Sequence, residues 1–216
     1  MKAKAATKKT LRRVATAPRS RSESQHALPA PKGKRAALDR HAWIEAARAE
    51  LVAGGIAAVK IGKLAAQLDV TREAFYWHFN SLQELQDELL VDWDRGNEDA
   101  YKSLLETHRD AEQAFQAMEK MWIEEAPYSP AWDSAMRDWA RISKKADRVV
   151  KRVDARRIDL IQILYRDMGY DEIESLVRAR IVYFHQVGYY TIRFEESREE
   201  RASLLPVYLR ILRGHP

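Results

Sequence analysis

Cysteine is absent from this chain. Its absence excludes disulfides, thiolate metal sites and cysteine nucleophiles together, and is compatible with a reducing compartment. No apolar run reaches the roughly 18 residues that a membrane-spanning helix needs, so no membrane partner is expected. No strand-type alternation and no internal repeat interrupts the helical periodicity. The six histidines (His26, His41, His78, His108, His185 and His215) are scattered, with no HExxH spacing. There is no glycine-rich phosphate loop and no nucleophile elbow either. The chain therefore reads as no enzyme, with no catalytic residue, metal or cofactor expected.

What is there is length and lopsided charge. At 216 residues the chain can bury a sizeable core in one large domain or two small ones. Its net charge of +5 conceals a division: residues 1–37 hold eleven Lys/Arg and one acid, leaving 26 basic and 31 acidic residues in 38–216. Residues 1–37 are rich in Ala, Ser, Thr, Pro and Lys/Arg and nearly devoid of large apolar side chains. Such a segment cannot offset its ordering entropy and is expected to be disordered in isolation. Two readings stay open for it. It is a solubilising leader, or Arg12, Arg13, Arg19, Arg21, Lys32, Lys34 and Arg35 form a basic arm beside the domain that follows, adding phosphate or minor-groove contacts to DNA.

The rest is organised around Lys60 to Ser81, KIGKLAAQLDVTREAFYWHFNS. Leu64, Ala65 and Leu68 make an apolar cluster sufficient for two turns of helix, and a polar break follows at Asp69. Thr71 is a good N-cap for a second short helix. Phe75 and Phe79 lie four apart, so both rings share one face and can anchor it. Thr71, Arg72, Glu73 and Ala74 open that helix, and Tyr76, Trp77 and His78 are expected to project away from the Phe face. Donors and flat rings on an outer face suit the DNA major groove.

The run Leu64-Ala65-Ala66-Gln67-Leu68-Asp69-Val70-Thr71-Arg72-Glu73-Ala74-Phe75-Tyr76-Trp77-His78-Phe79 resembles the helix-turn-helix of TetR/AcrR-family transcriptional regulators, LA-x-x-L-G-V-[ST]-x-x-x-[FL]-Y-x-H-F. Two positions depart from it. Asp69 replaces the turn glycine, where Asp tolerates the left-handed region better than most residues. Asn80 and Leu82 stand where many relatives carry Lys or Arg for phosphate contact.

Periodicity predicts the remaining helices. The first runs from about Asp39 to Ala53 and ends at Gly54-Gly55, with Trp43 in the core. Lys60 and Lys63 are placed to reach phosphates. Ser81 with Glu84 reads as a capping box opening a fourth helix with a Leu82, Leu85, Leu89, Trp93 stripe. Asp110 caps a fifth helix, and Ser129-Pro130 opens a sixth. A seventh runs from about Ser143 to Met168. Asp171 with Glu174 opens an eighth through Ile173, Leu176, Val177, Phe184, Val187 and Ile192. Ser197 with Glu200 caps the last, which Pro206 must kink or restart.

The resemblance implies an all-α fold in three parts: the arm at 1–37, a three-helix helix-turn-helix domain at 38–83, and a helical effector-binding and dimerisation domain at 84–216 joined by a long helix. It implies a sequence-specific transcriptional regulator, a homodimeric repressor released from a palindromic double-stranded operator by a small-molecule effector, in the bacterial cytoplasm on the nucleoid. The alternative is a constitutive DNA-binding or architectural protein without an effector. The expected DNA-contacting residues are Lys60, Lys63, Thr71, Arg72, Glu73, Ala74, Tyr76, Trp77 and His78. Arg72 would read a base; Thr71, Tyr76 and His78 would hold phosphates; Trp77 would touch a thymine methyl. An effector pocket is expected among the apolar and aromatic residues Phe115, Met118, Trp122, Trp132, Met136, Trp139, Tyr165 and Phe184. Asp138 and Arg141 are polar candidates to orient the ligand. The last two helices, through residues such as Val177, Phe184, Leu204 and Val207, would build a four-helix dimer interface.

Overall fold

The computed structural model describes residues 39–108, 110–192 and 194–214; the basic segment 1–37 and its seven candidate cations lie outside them. Among the described residues the chain is wholly helical. The helices are α1 (Arg40–Gly54), α2 (Ile61–Gln67), α3 (Arg72–Phe75), α4 (Leu82–Thr107), α5 (Ala111–Glu124), α6 (Pro130–Ala140), α7 (Lys144–Asp167), α8 (Glu172–Ile192) and α9 (Arg198–Arg213), with one 3-10 turn at Ile56–Ala58. None is long and apolar enough to cross a membrane.

Side chains start most of these helices where the sequence placed them. Asp39 accepts from the Ala42 amide at 2.9 Å, Asp110 from Gln113 at 2.8 Å and Ser143 from Ala146 at 3.3 Å. Such a cap contributes about 1 kcal/mol. The three expected capping boxes fare differently. Ser197 and Glu200 close theirs in both directions, at 3.1 and 2.8 Å. Ser81 accepts from the Glu84 amide, but the Glu84 carboxylate turns to the Asn80 amide at 2.8 Å and to Arg40 at 2.9 Å. Asp171 caps α8 while Glu174 engages Arg178. In both open boxes a guanidinium, Arg40 in one and Arg178 in the other, holds one oxygen of the carboxylate that would return to the N-cap amide. Pro206 neither stops nor restarts α9, which runs through it.

Two cores result. The first gathers Trp43, Leu51, Leu64, Phe75, Phe79, Leu89 and Trp93 with Trp132, Met136 and Trp139 of α6 and the valines that open α7. The second packs Tyr101, Phe115, Met118, Trp122, Ile161 and Tyr165 with α8 and α9. Helices α4 and α7 pass through both, so packing continues across the boundary at residues 83 and 84. Pairs between Asp87 and Lys145 at 2.6 Å and between Glu98 and Arg156 at 3.2 Å stitch α4 along α7.

A buried charge network sits between the cores. Asp133 pairs with Arg157 and Arg137, each at 2.9 Å. Arg137 also grips Asp154 at 2.8 and 3.1 Å, and the Tyr183 hydroxyl donates to Asp154 at 2.6 Å. These contacts turn α8. Tyr183, Val182 and Ala179 face inward, whereas Ile173, Val177, Phe184 and Ile192 of the expected α8 stripe point to solvent, Phe184 with 60% of its surface exposed. Leu204, Val207 and Ile211 of α9 are exposed as well.

Candidate nucleic-acid interface and ligand cavity

Helix α2 ends on a Schellman motif. The Val70 amide donates to the Ala65 carbonyl at 2.9 Å and the Asp69 amide to Ala66 at 3.3 Å. This geometry needs a left-handed residue at Asp69, whose φ is 53°. The turn expected from the sequence therefore forms, with aspartate in the place glycine fills most easily.

Phe75 and Phe79 anchor the next segment as their spacing requires. Both are almost wholly buried; their rings stack at 5.2 Å, and Phe75 meets Trp43 edge-on at 5.3 Å. Each buried ring contributes about 1.5–3 kcal/mol. Thr71 occupies the N-cap position without a side-chain cap bond. Glu73 takes that work instead: its own amide, then the Thr71 hydroxyl, hold its carboxyl below the usual range. Thr71, Arg72, Glu73 and Tyr76 are exposed, as are Lys60 and Lys63. Lys63 contacts the Glu50 carboxylate, which tethers it to α1.

Two expected contacts need correction. Ala74 is 5% exposed and belongs to the first core, because α3 is a single turn whose inner side must carry both Ala74 and Phe75. Trp77 does not project away from the Phe face. It is half-buried against that core with its indole nitrogen enclosed, and His78 is half-buried beside it. The His78 carbonyl is held by Arg40, which also bonds Glu84 and Glu88 at 2.9 Å and lies 4.2 Å above the Phe79 ring. Arg40 thus fastens the end of the outer segment to α4. Sequence reasoning missed it, since nothing in the spacing of Arg40 announces a partner some forty residues away.

The expected effector pocket does not assemble as one site. Phe115, Met118, Trp122 and Tyr165 fill the second core, whereas Trp132, Met136 and Trp139 fill the first. Phe184 is on the outside. Aromatic spacing reports burial but not which core receives the ring. Asp138 and Arg141 pair with each other at 3.5 Å on the surface. Trp132 does line a cavity of about 280 Å³ between α1, α4 and α6, reached also by Arg48, Asp92, Tyr101 and Tyr128. Burial pushes the Tyr101 hydroxyl up to about 12. Among the described residues no cluster of His, Asp or Glu is arranged to hold a metal.

Comparison with known proteins bears on this arrangement. The family model for bacterial regulatory proteins of the tetR family matches residues 44–89, from α1 into α4. No curated protein sequence matches the chain. Solved structures do. The ketosteroid transcriptional regulator KstR2 of Mycobacterium tuberculosis is 16% identical, with a TM-score of 0.61 over 81% of this chain and 93% of its own. Reduced NemR of E. coli is 14% identical, with a TM-score of 0.66 over 82% and 98%. The fatty acid degradation regulator FadR of Bacillus halodurans is 14% identical, with a TM-score of 0.62 over 85% and 97%. At such identities the likeness is one of fold, and it extends over both halves of the molecule. Joined to the sequence match, it gives this chain a domain of the bacterial tetR regulatory family over residues 44–89 and the TetR-type fold over its described helices.

Proposed function

We propose that this regulator works as a homodimeric repressor that leaves a palindromic operator when a small molecule binds. One observation carries the DNA half of this reading: the two buried phenylalanines leave Thr71, Arg72, Glu73 and Tyr76 exposed on the outer side of the second helix of a helix-turn-helix. Arg72 reads a base, because a guanidinium can grip guanine at two atoms; Tyr76, Thr71 and Lys60 hold phosphates. Trp77 and Ala74 support the segment from beneath rather than touching bases. The exposed apolar side of α8 and α9, with Val177, Phe184, Leu204 and Val207, supports a two-fold dimer. A dimer sets two recognition segments about 34 Å apart, one turn of the duplex. The protein would then act in the cytoplasm, at the nucleoid.

Selection of binding sites from random duplex DNA tests the reading. The expected product is a two-fold symmetric site whose half-sites lie about one helical turn apart. Arg72→Ala should cost about 1–3 kcal/mol and relax one position of the site, whereas Tyr76→Phe should weaken all sequences alike. Failure to enrich any sequence, or an enriched site without symmetry, overturns it.

A further inference from the structure

The cavity between α1, α4 and α6 has features that the packing of the protein does not require. Helix α1 sends His41, Glu45 and Arg48 to it from one face, and α4 sends Asp92, Gly96 and Asn97. Trp93, Tyr128 and Trp132 supply aromatic wall.

Asp92 is half-buried, and no hydrogen bond from a described residue stabilises its carboxylate. Burial first, and Glu45 second, hold it above the ordinary carboxylate range; Arg48, His41 and Arg95 offset this in part. A half-buried carboxylate with so little direct support gains from a cation placed against it. Asp133 at the edge of the cavity makes no such demand, because Arg137 and Arg157 already neutralise it.

The aromatic wall has already shown what it accepts. The Arg48 guanidinium lies 3.7 Å from the centre of the Trp132 ring, so a planar cation finds a favourable face there. Among the described residues the other partner of Arg48 is Glu45 at 3.6 Å, a partly exposed pair of little strength.

Gly96 adds a separate observation. It stands inside the 26-residue helix α4, where glycine costs about 1 kcal/mol relative to alanine. A Cβ built on it would meet nothing within 4 Å. No neighbour demands the glycine, and open space lies beside it on the side of α4 that lines the cavity.

We propose that this cavity is the effector site and that it takes an organic cation carrying a flat apolar ring, with the charge set against Asp92 and Glu45 and the ring among Trp93, Tyr128 and Trp132. The proposal rests on the ligand-responsive reading above and gives it a site and a ligand class. The position of the cavity supplies the route to DNA. Its occupant touches α1 of the helix-turn-helix, the connecting helix α4, and α6. A cation that takes the place of Arg48 on Trp132 loosens the seam between α1 and α6. It shifts the protein away from the DNA-bound state by the difference in its affinity for the two states.

Three probes of nearly equal size and shape, benzamidine, benzamide and benzoate, test this in the full-length protein by titration calorimetry. Benzamidine is expected to bind about tenfold or more tightly than benzamide, with benzoate weakest. Asp92→Asn should lower benzamidine affinity by about tenfold and leave benzamide unchanged. Gly96→Leu, which fills the cavity from the helix surface, should abolish binding of all three, with the helical circular dichroism and melting temperature retained. Equal affinities for the three probes, or an Asp92→Asn variant that binds benzamidine as before, overturn the site. Saturating benzamidine should also release the selected operator. Probe binding without release overturns the effector assignment, whereas a protein that selects no operator overturns the regulator reading and leaves the calorimetric test of the cavity intact.

Discussion

Replacing Glu119 by glutamine should stabilise this protein, and only above a definite pH. Glu119 lies on α5 with 7% of its surface exposed, and its Oε1 has no hydrogen-bond partner. Burial pushes its carboxyl from 4.5 up to about 7, with Arg201 offsetting part of the effect. Below pH 4.5 the group is protonated in both the folded and the unfolded chain, and glutamine changes little. Between 4.5 and 7 the unfolded chain gives up its proton while the folded chain keeps it, so stability falls as pH rises. Above 7 the loss is complete. At about 1.4 kcal/mol for each pH unit between those two values, it amounts to about 3 kcal/mol. For a chain of this length that corresponds to a rise in melting temperature of about 6–12 °C for Glu119→Gln at pH 8, and nearly none at pH 4.5. Thermal unfolding followed by circular dichroism at pH 4.5, 6 and 8 measures it. An equal difference between wild type and variant at all three values would refute the reasoning, since burial of an ionising group would then not be its source.

Asp133→Asn should cost about 3–5 kcal/mol in urea unfolding, because it strips Arg157 of a buried counter-charge; a loss under about 1 kcal/mol contradicts the network. Burial alone would raise the Asp133 carboxyl, but Arg157 and Arg137 hold it low. Its stabilisation is accordingly present above the unfolded value of about 3.9 and is lost as pH falls through the lower folded one. Asp69→Gly should add about 0.5–1 kcal/mol to the same unfolding free energy by relieving the left-handed backbone, and a destabilised variant would show that the Asp69 side chain does more than fill the turn. Phe184→Lys should shift sedimentation from dimer to monomer at micromolar concentration; an unchanged dimer would place the interface elsewhere.

Helix existence and order were legible because each helix combines apolar periodicity with a local start signal, as at Asp39, Ser129 and Ser197. The outer surface of the helix-turn-helix was legible for a similar reason: Phe75 and Phe79, one turn apart, determine which side of the segment faces the core. Ala74 and Trp77 were not, because α3 is so short that its inner surface extends beyond the two phenylalanines. The cores were harder still. Trp132 and Trp122 both read as buried aromatics, yet one packs under Trp43 and its neighbours and the other under α8 and α9, a distinction made by helix crossing rather than by spacing. Ion pairs such as Asp133–Arg157 and Arg40–Glu84 join residues 24 and 44 positions apart, beyond any local pattern. The α8 stripe was visible as apolar, but its direction was decided by Tyr183, whose hydroxyl is drawn inward by Asp154 and the two arginines.

The continuity of the first core across α1, α4, α6 and α7 has a bearing on how such a molecule can be taken apart. Trp132, Met136 and Trp139 form the floor beneath the DNA-reading head, so a fragment cut after Ser81 would present that underside to water and strip Trp43 and Leu51 of the α4 and α6 side chains of their core. Grafting this head onto another regulator therefore means carrying three side chains of α6 with it, and the intact chain should melt as a single unit rather than in two stages.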